Sequence, residues 1–138
     1  MLVVDTNVLA YLLIAGDRTA AARSLHRADD DWHTDAFALI EFTNLLATLQ
    51  RSRNVTPADA KKYLEAAERL TDGQTHSVAH GRASDVAATF GISGYDARFV
   101  ALAMELETTL VTEDRRLRRA APACTEDIDA AVARSTGG

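Results

Sequence analysis

Cysteine is almost absent: Cys124 stands alone, which rules out an internal disulfide and a thiolate zinc cluster. With no obvious catalytic partner nearby in sequence, it reads as a small structural residue. No apolar run is long enough to cross a membrane, and the N-terminus lacks the basic region and cleavage site of a secretory signal. A cytoplasmic location without membrane contact is therefore expected. Positive charge is also scarce, with 15 Lys and Arg against 20 Asp and Glu and a formal net charge of −5. That balance argues against holding nucleic acid on a general basic surface, so any phosphate would have to be met locally. There is no internal repeat and no low-complexity segment.

What is present is a chain of 138 residues with 47% hydrophobic and 25% charged residues, the composition of a globular protein and enough for one core. A single domain over residues 1–138 is expected. The informative stretch is Leu2-Val3-Val4-Asp5-Thr6-Asn7-Val8-Leu9-Ala10. Its first apolar residues read as a short buried strand, and the run from Val8 to Ile14 reads as a helix behind it. Asp5 falls at the strand's carboxyl end, the rim where open parallel α/β sheets bind ligands. A helix N-cap is the competing reading of the same residue.

The rest of the chain alternates in the same manner. Thr19 to Ala28 has helical spacing, Asp29-Asp30-Asp31 reads as a solvated turn, and Trp32-His33-Thr34 as a short strand. From Asp35 to Arg53 runs the longest helical pattern, whose apolar face is drawn through Phe37, Ile40, Leu45, Leu46 and Leu49. Glu41 lies within that face, one turn from Phe37 and from Leu45, so the helix carries a carboxylate inward. An interior arginine partner or a metal would each account for it. Asn44 lies three residues on.

Thr56, Pro57 and Asp59 mark a helix start, and Gln74 to Val78 an edge strand. His76 and His80 are four apart, but the polar loop between them makes a shared helix, and a shared metal, a poor reading. A helix from Gly81 to Phe90 ends at Gly91, and Ser93 and Asp96 stand in capping-box relation at the start of the next. Phe99, Val100 and Ala103 place Asp96 on the inward face. Thr109-Leu110-Val111-Thr112 repeats the opening design: an apolar strand, a threonine, then acids at its carboxyl end. Arg115, Arg116, Arg118 and Arg119 form the one concentrated basic patch, either a phosphate contact or plain solvated surface. The tail from Pro122 carries no readable pattern, and Ser135 to Gly138 are expected to fray. Alternating strands and helices point to a three-layer α/β/α domain with a mostly parallel central sheet.

Suppose Asp5, Glu41, Asp96 and Asp114 share a crevice. At about 4 Å and an effective dielectric near 20, each pair repels by roughly 4 kcal/mol, and a cation or protons must relieve that. Oxygen-only sites suit Mg²⁺ or Mn²⁺. Such an ion neutralises phosphate and activates water, which makes phosphodiester hydrolysis the natural chemistry. A haloacid-type phosphatase would need a second Asp where Asn7 stands. A receiver domain would need an acid pair near the first strand and a late lysine, and neither is there.

The segments Val3-Val4-Asp5-Thr6-Asn7-Val8-Leu9, Ile40-Glu41-Phe42-Thr43-Asn44-Leu45-Leu46, Gly94-Tyr95-Asp96-Ala97 and Leu110-Val111-Thr112-Glu113-Asp114-Arg115-Arg116-Leu117 resemble, in order, the motifs of the PIN-domain family. The full length resembles a VapC-type toxin. The resemblance implies a PIN-like fold and a Mg²⁺- or Mn²⁺-dependent endoribonuclease of a type II toxin-antitoxin system. It also implies a homodimer and inhibition by a cognate VapB-type antitoxin. Asp5, Glu41, Asp96 and Asp114 match the family's acidic, metal-binding positions, with Asn7 and Thr112 in support; Arg115 and Arg116 of the basic patch are the candidate RNA contacts. Glu113 adds an acid beside the last motif, and the spacing Thr112-x-Asp114 favours Asp114 as the one facing the metal. The reading from another class is a catalytically inactive PIN-fold protein-binding module whose acids serve only as helix caps.

Overall fold

The computed structural model describes residues 1–137; of the stretch expected to fray, Gly138 lies outside them. The five strands β1 (Leu2–Val4), β2 (Trp32–Asp35), β3 (Thr75–His76), β4 (Leu110–Val111) and β5 (Thr125–Glu126) form one sheet in the order β3-β2-β1-β4-β5. Every neighbouring pair is parallel. Between them run the helices α1 (Thr6–Leu13), α2 (Thr19–Ala28), α3 (Phe37–Arg51), α4 (Pro57–Leu70), α5 (His80–Phe90), α6 (Gly94–Glu105) and α7 (Arg115–Ala120), with α8 (Ile128–Thr136) closing the chain.

β1 shows why the molecule has three layers. Its side chains alternate across the sheet: Val3 joins Leu110, Val86, Val100 and Leu102 under α5 and α6. Leu2 and Val4 join Val8, Leu25, Trp32, Val111 and Ile128 under α1, α2 and α8. A strand buried on both faces has no polar side to spare, hence its unbroken apolar run. Each such side chain contributes about 1.5–3 kcal/mol by leaving water. A third cluster, Leu9, Phe42, Leu46, Ala60 and Ala67, fastens α3 and α4 to α1 beside the sheet.

Three expectations need correction. The tail is structured: Asp127 caps α8 by accepting a bond from the Ala130 N–H, and Ile128 and Ala131 are fully buried. Its apolar positions are mostly alanine, so helical periodicity was hard to see. On α3 the buried positions are Ala38, Phe42 and Leu46, whereas Ile40 is 61% exposed. The face runs one residue away from the expected line because small Ala38 meets the sheet. The acidic turn is also more than solvated, since Asp29 Oδ2 holds the N-terminal ammonium at 2.9 Å. No described helix is long and apolar enough to cross a membrane.

Candidate active site

Strand order dictates where the site falls. From β1 the chain moves outward to β2 and then β3, whereas from β4, on β1's other side, it moves to β5. The connections leaving β1 and β4 therefore diverge and open a crevice at the carboxyl ends of these strands, the switch point of an open α/β sheet.

Val4 pairs in register with Val111, so the next residues, Asp5 and Thr112, emerge side by side. The Thr112 hydroxyl donates to Asp5 Oδ2 at 2.5 Å. Asp5 Oδ1 accepts the Val8 N–H at 3.0 Å, which makes Asp5 the N-cap of α1 as well. Asp5 thus stands at the strand end and caps the following helix at once. Burial of the carboxylate pushes its pKa from 3.8 up to about 6. The hydrogen bonds from Thr112 and Val8 pull the other way, and the charges of Asp96 and Glu41 add to the rise.

Glu41 comes from the first turns of α3, and its Oε1 accepts the Thr6 hydroxyl at 2.7 Å. Asp96 lies in the first turn of α6, where Ser93 caps the helix by accepting the Asp96 N–H at 3.0 Å. Burial, and then the charge of Asp114, raises its pKa. Asp114 caps α7, with Oδ1 accepting the N–H groups of Arg116 at 3.0 Å and Leu117 at 3.1 Å. Its own N–H donates to the Thr112 hydroxyl at 3.1 Å, so Thr112 ties two of the acids together.

All of Asp5, Glu41, Asp96 and Asp114 line one cleft of about 610 Å³, together with Asn7, Asn44, Phe37, Ile40 and Tyr95. None of the four is ion-paired among the described residues. The interior arginine that would have explained Glu41 is not there. Glu113 turns away from the cleft, paired instead with Arg18 and, at 3.7 Å, with Arg118. Asn7 is exposed and lines the cleft, while the hydrogen bonds to Asp5 come from Thr112 and Val8. Of the basic patch, Arg116 borders a smaller adjoining groove with Ser93, Asp96 and Asp114. Arg118 is committed to structure, donating to the Thr112 carbonyl at 2.8 Å.

Among the described residues, no three His, Cys, Asp or Glu side chains converge closely enough to enclose an ion. Local hydrogen bonds hold Asp5, Glu41 and Asp114 in separate orientations around the cleft. The donor set is nonetheless all oxygen, mutually repelling and free of protein cations, a chemistry that suits Mg²⁺ or Mn²⁺ better than zinc. Thr6 and Tyr95 were missed in the sequence. Thr6 follows Asp5 directly and Tyr95 precedes Asp96, so adjacency to each acid was the available signal.

An all-parallel α/β/α sheet with an acid-lined crevice at its switch point defines a class of small domains that bind ligands across strand ends. More narrowly, the chain belongs to the PIN-domain family, whose model matches residues 2–122. It is similar to the crystal structure of PAE2754 from Pyrobaculum aerophilum with a TM-score of 0.78 at 20% identity, over 99% of this chain and 96% of that one. That likeness speaks for the fold. Comparison with curated proteins gives no match.

Proposed function

We propose that the protein is a metal-dependent endoribonuclease, the toxin of a type II toxin-antitoxin pair of the VapC kind. The observation that carries this reading is a cleft lined by Asp5, Glu41, Asp96 and Asp114 with no cation among the described residues paired to any of them. Asp5 and Asp96 would hold the ion, with Asp114 assisting. A divalent ion held there would supply positive charge to the phosphate and ease ionisation of the attacking water. Glu41, steadied by the Thr6 hydroxyl, orients that water and accepts its proton. Thr112 fixes Asp5 from behind. Arg116, with Arg115 nearby on α7, meets a neighbouring phosphate. In this reading residues 1–138 work as one PIN domain in the cytoplasm, as a homodimer silenced by a VapB-type antitoxin.

The test is cleavage of single-stranded RNA by purified protein with Mg²⁺ or Mn²⁺. Asp5→Asn should lower the rate by about a thousandfold, on the order of 4 kcal/mol in the barrier, while raising the melting temperature of the metal-free protein. Mn²⁺ should raise the wild-type melting temperature by several degrees through binding to the folded state alone. Asp5 and Asp114 do act as helix caps, which is what an inactive binding module would require. Undiminished cutting by Asp5→Asn would overturn the assignment of Asp5, whereas no cutting by the wild type together with melts indifferent to Mn²⁺ would favour that module.

A further inference from the structure

The cleft that the four acids line is also lined by apolar side chains, among them Phe37, Ile40 and Tyr95. Phe37, the first residue of α3, stacks on Tyr95 of α6 with ring centroids 5.3 Å apart and planes 10° from parallel. Phe37 is partly buried against the core. Tyr95 is 64% exposed, and Ile40, 61% exposed, lines the same cleft. Exposed apolar side chains scattered singly need no explanation, but a rigid aromatic pair beside a ligand cleft does. Each aromatic is tied to an acid: Tyr95 precedes Asp96, and Phe37 lies one helical turn before Glu41.

Resting on the nuclease reading, we propose that Tyr95, backed by Phe37, is the stacking platform for an unpaired base of the RNA next to the bond that is cut. The inner face of the Tyr95 ring is taken by Phe37, so a base on the outer face continues an existing stack. A base can reach it only when it is not stacked in a duplex, which makes single-stranded RNA the substrate class. Stacking also answers the charge problem of a net −5 protein. It holds the nucleotide through an uncharged face, so less of the affinity has to come from basic side chains such as the few arginines on α7. The amides of Asn7 and Asn44 line the same cleft and present both a donor and an acceptor to the edge of that base.

A 12-nucleotide single-stranded RNA carrying 2-aminopurine at successive positions tests this, with Ca²⁺ to hold it uncut and Mg²⁺ to measure cleavage. In the wild type, fluorescence should be quenched at one position beside the cleavage site. Tyr95→Ala should abolish the quench and lower kcat/KM roughly tenfold, while the lost stack on Phe37 lowers the melting temperature by only a few degrees. Tyr95→Phe and Tyr95→Trp should keep both. An abasic nucleotide at that position should slow the wild type to the Tyr95→Ala rate and leave the variant unaffected. RNA that is cut and quenched equally by Tyr95→Ala overturns the stacking platform alone and leaves the exposed wall as a protein-binding surface. Binding with the Tyr95-dependent quench but no cleavage overturns the nuclease reading and leaves the platform standing. RNA that shows no position-specific quench overturns the platform.

Discussion

Asp5 and Asp35 occupy equivalent places: each comes at the carboxyl end of a central parallel strand, and β1 and β2 are neighbours. Both receive a backbone N–H from the helix that follows, Val8 for Asp5 and Phe37 for Asp35. Their other oxygens differ. Asp35 Oδ2 accepts the Val78 N–H at 3.0 Å and lies 3.8 Å from the Arg98 guanidinium. At 2% exposure it is sealed in by its partners. Asp5 Oδ2 receives only a neutral hydroxyl, and its near neighbours in charge are other acids. A carboxylate at a strand end thus becomes structural where a cation and two amides complete it. It stays available for a ligand where they do not.

The largest expected difference is in stability. Asp35→Asn turns an amide NH₂ toward the N–H of Phe37 or Val78 and strips Arg98 of its counter-charge. Leaving a buried partner unsatisfied in this way costs about 3–5 kcal/mol, or a fall of ten degrees or more in melting temperature. Asp5→Asn should move the melting temperature in the opposite direction. Thermal unfolding of the two variants side by side checks the contrast, and shifts of the same sign would break it.

Next comes the dependence of stability on pH, measured with a chelator present. Because burial holds Asp5 near 6 instead of 3.8, the folded chain binds this proton more tightly than the unfolded chain does. Stability therefore falls as pH rises from about 4 through about 6, by about 3 kcal/mol in all. The difference between the wild type and Asp5→Asn isolates this component, since other titrating groups are common to both. Denaturant unfolding at pH 4 and pH 7 should show the variant's advantage growing across that window. An advantage that is constant with pH would mean Asp5 carries no such burden.

The same contrast explains what could be read in advance. Four of the five strands and their parallel sense were legible, β1 and β4 because buried parallel strands need uninterrupted apolar residues, and several helix starts because Thr56, Ser93 and Asp114 sit where caps must sit; β5 (Thr125–Glu126), two polar residues in the tail, was not. The set of acids was legible as a sequence pattern. Which acids lack a cation was not, since Asp35 and Arg98 are far apart in the chain and meet only when α6 packs across β2. For the same reason the pairing of Glu113 with Arg18, across 95 residues, could not be foreseen. The Phe37–Tyr95 stack likewise depends on two helices converging. The tail failed for a different cause: alanine gives helix propensity without marking a face.

The smallest effect concerns what separates Asp5 from full isolation. Thr112 is completely buried, and its hydroxyl both donates to Asp5 and accepts from the Asp114 N–H. Thr112→Val keeps the shape and removes the hydroxyl, so the ionised form of Asp5 loses one of the two bonds that oppose its burial. Its pKa should then climb above the wild-type value of about 6. At pH 7 the loss of a hydrogen bond to a charged group should cost about 1.5–3 kcal/mol. At pH 4, where Asp5 is protonated, the cost should shrink to that of a neutral bond, about 1 kcal/mol or less. Thr112→Ser retains the hydroxyl and should follow the wild type through the pH window. If Val and Ser behave alike, the hydroxyl does not govern Asp5, and Asp5 and Asp35 would then differ by the Arg98 cation alone.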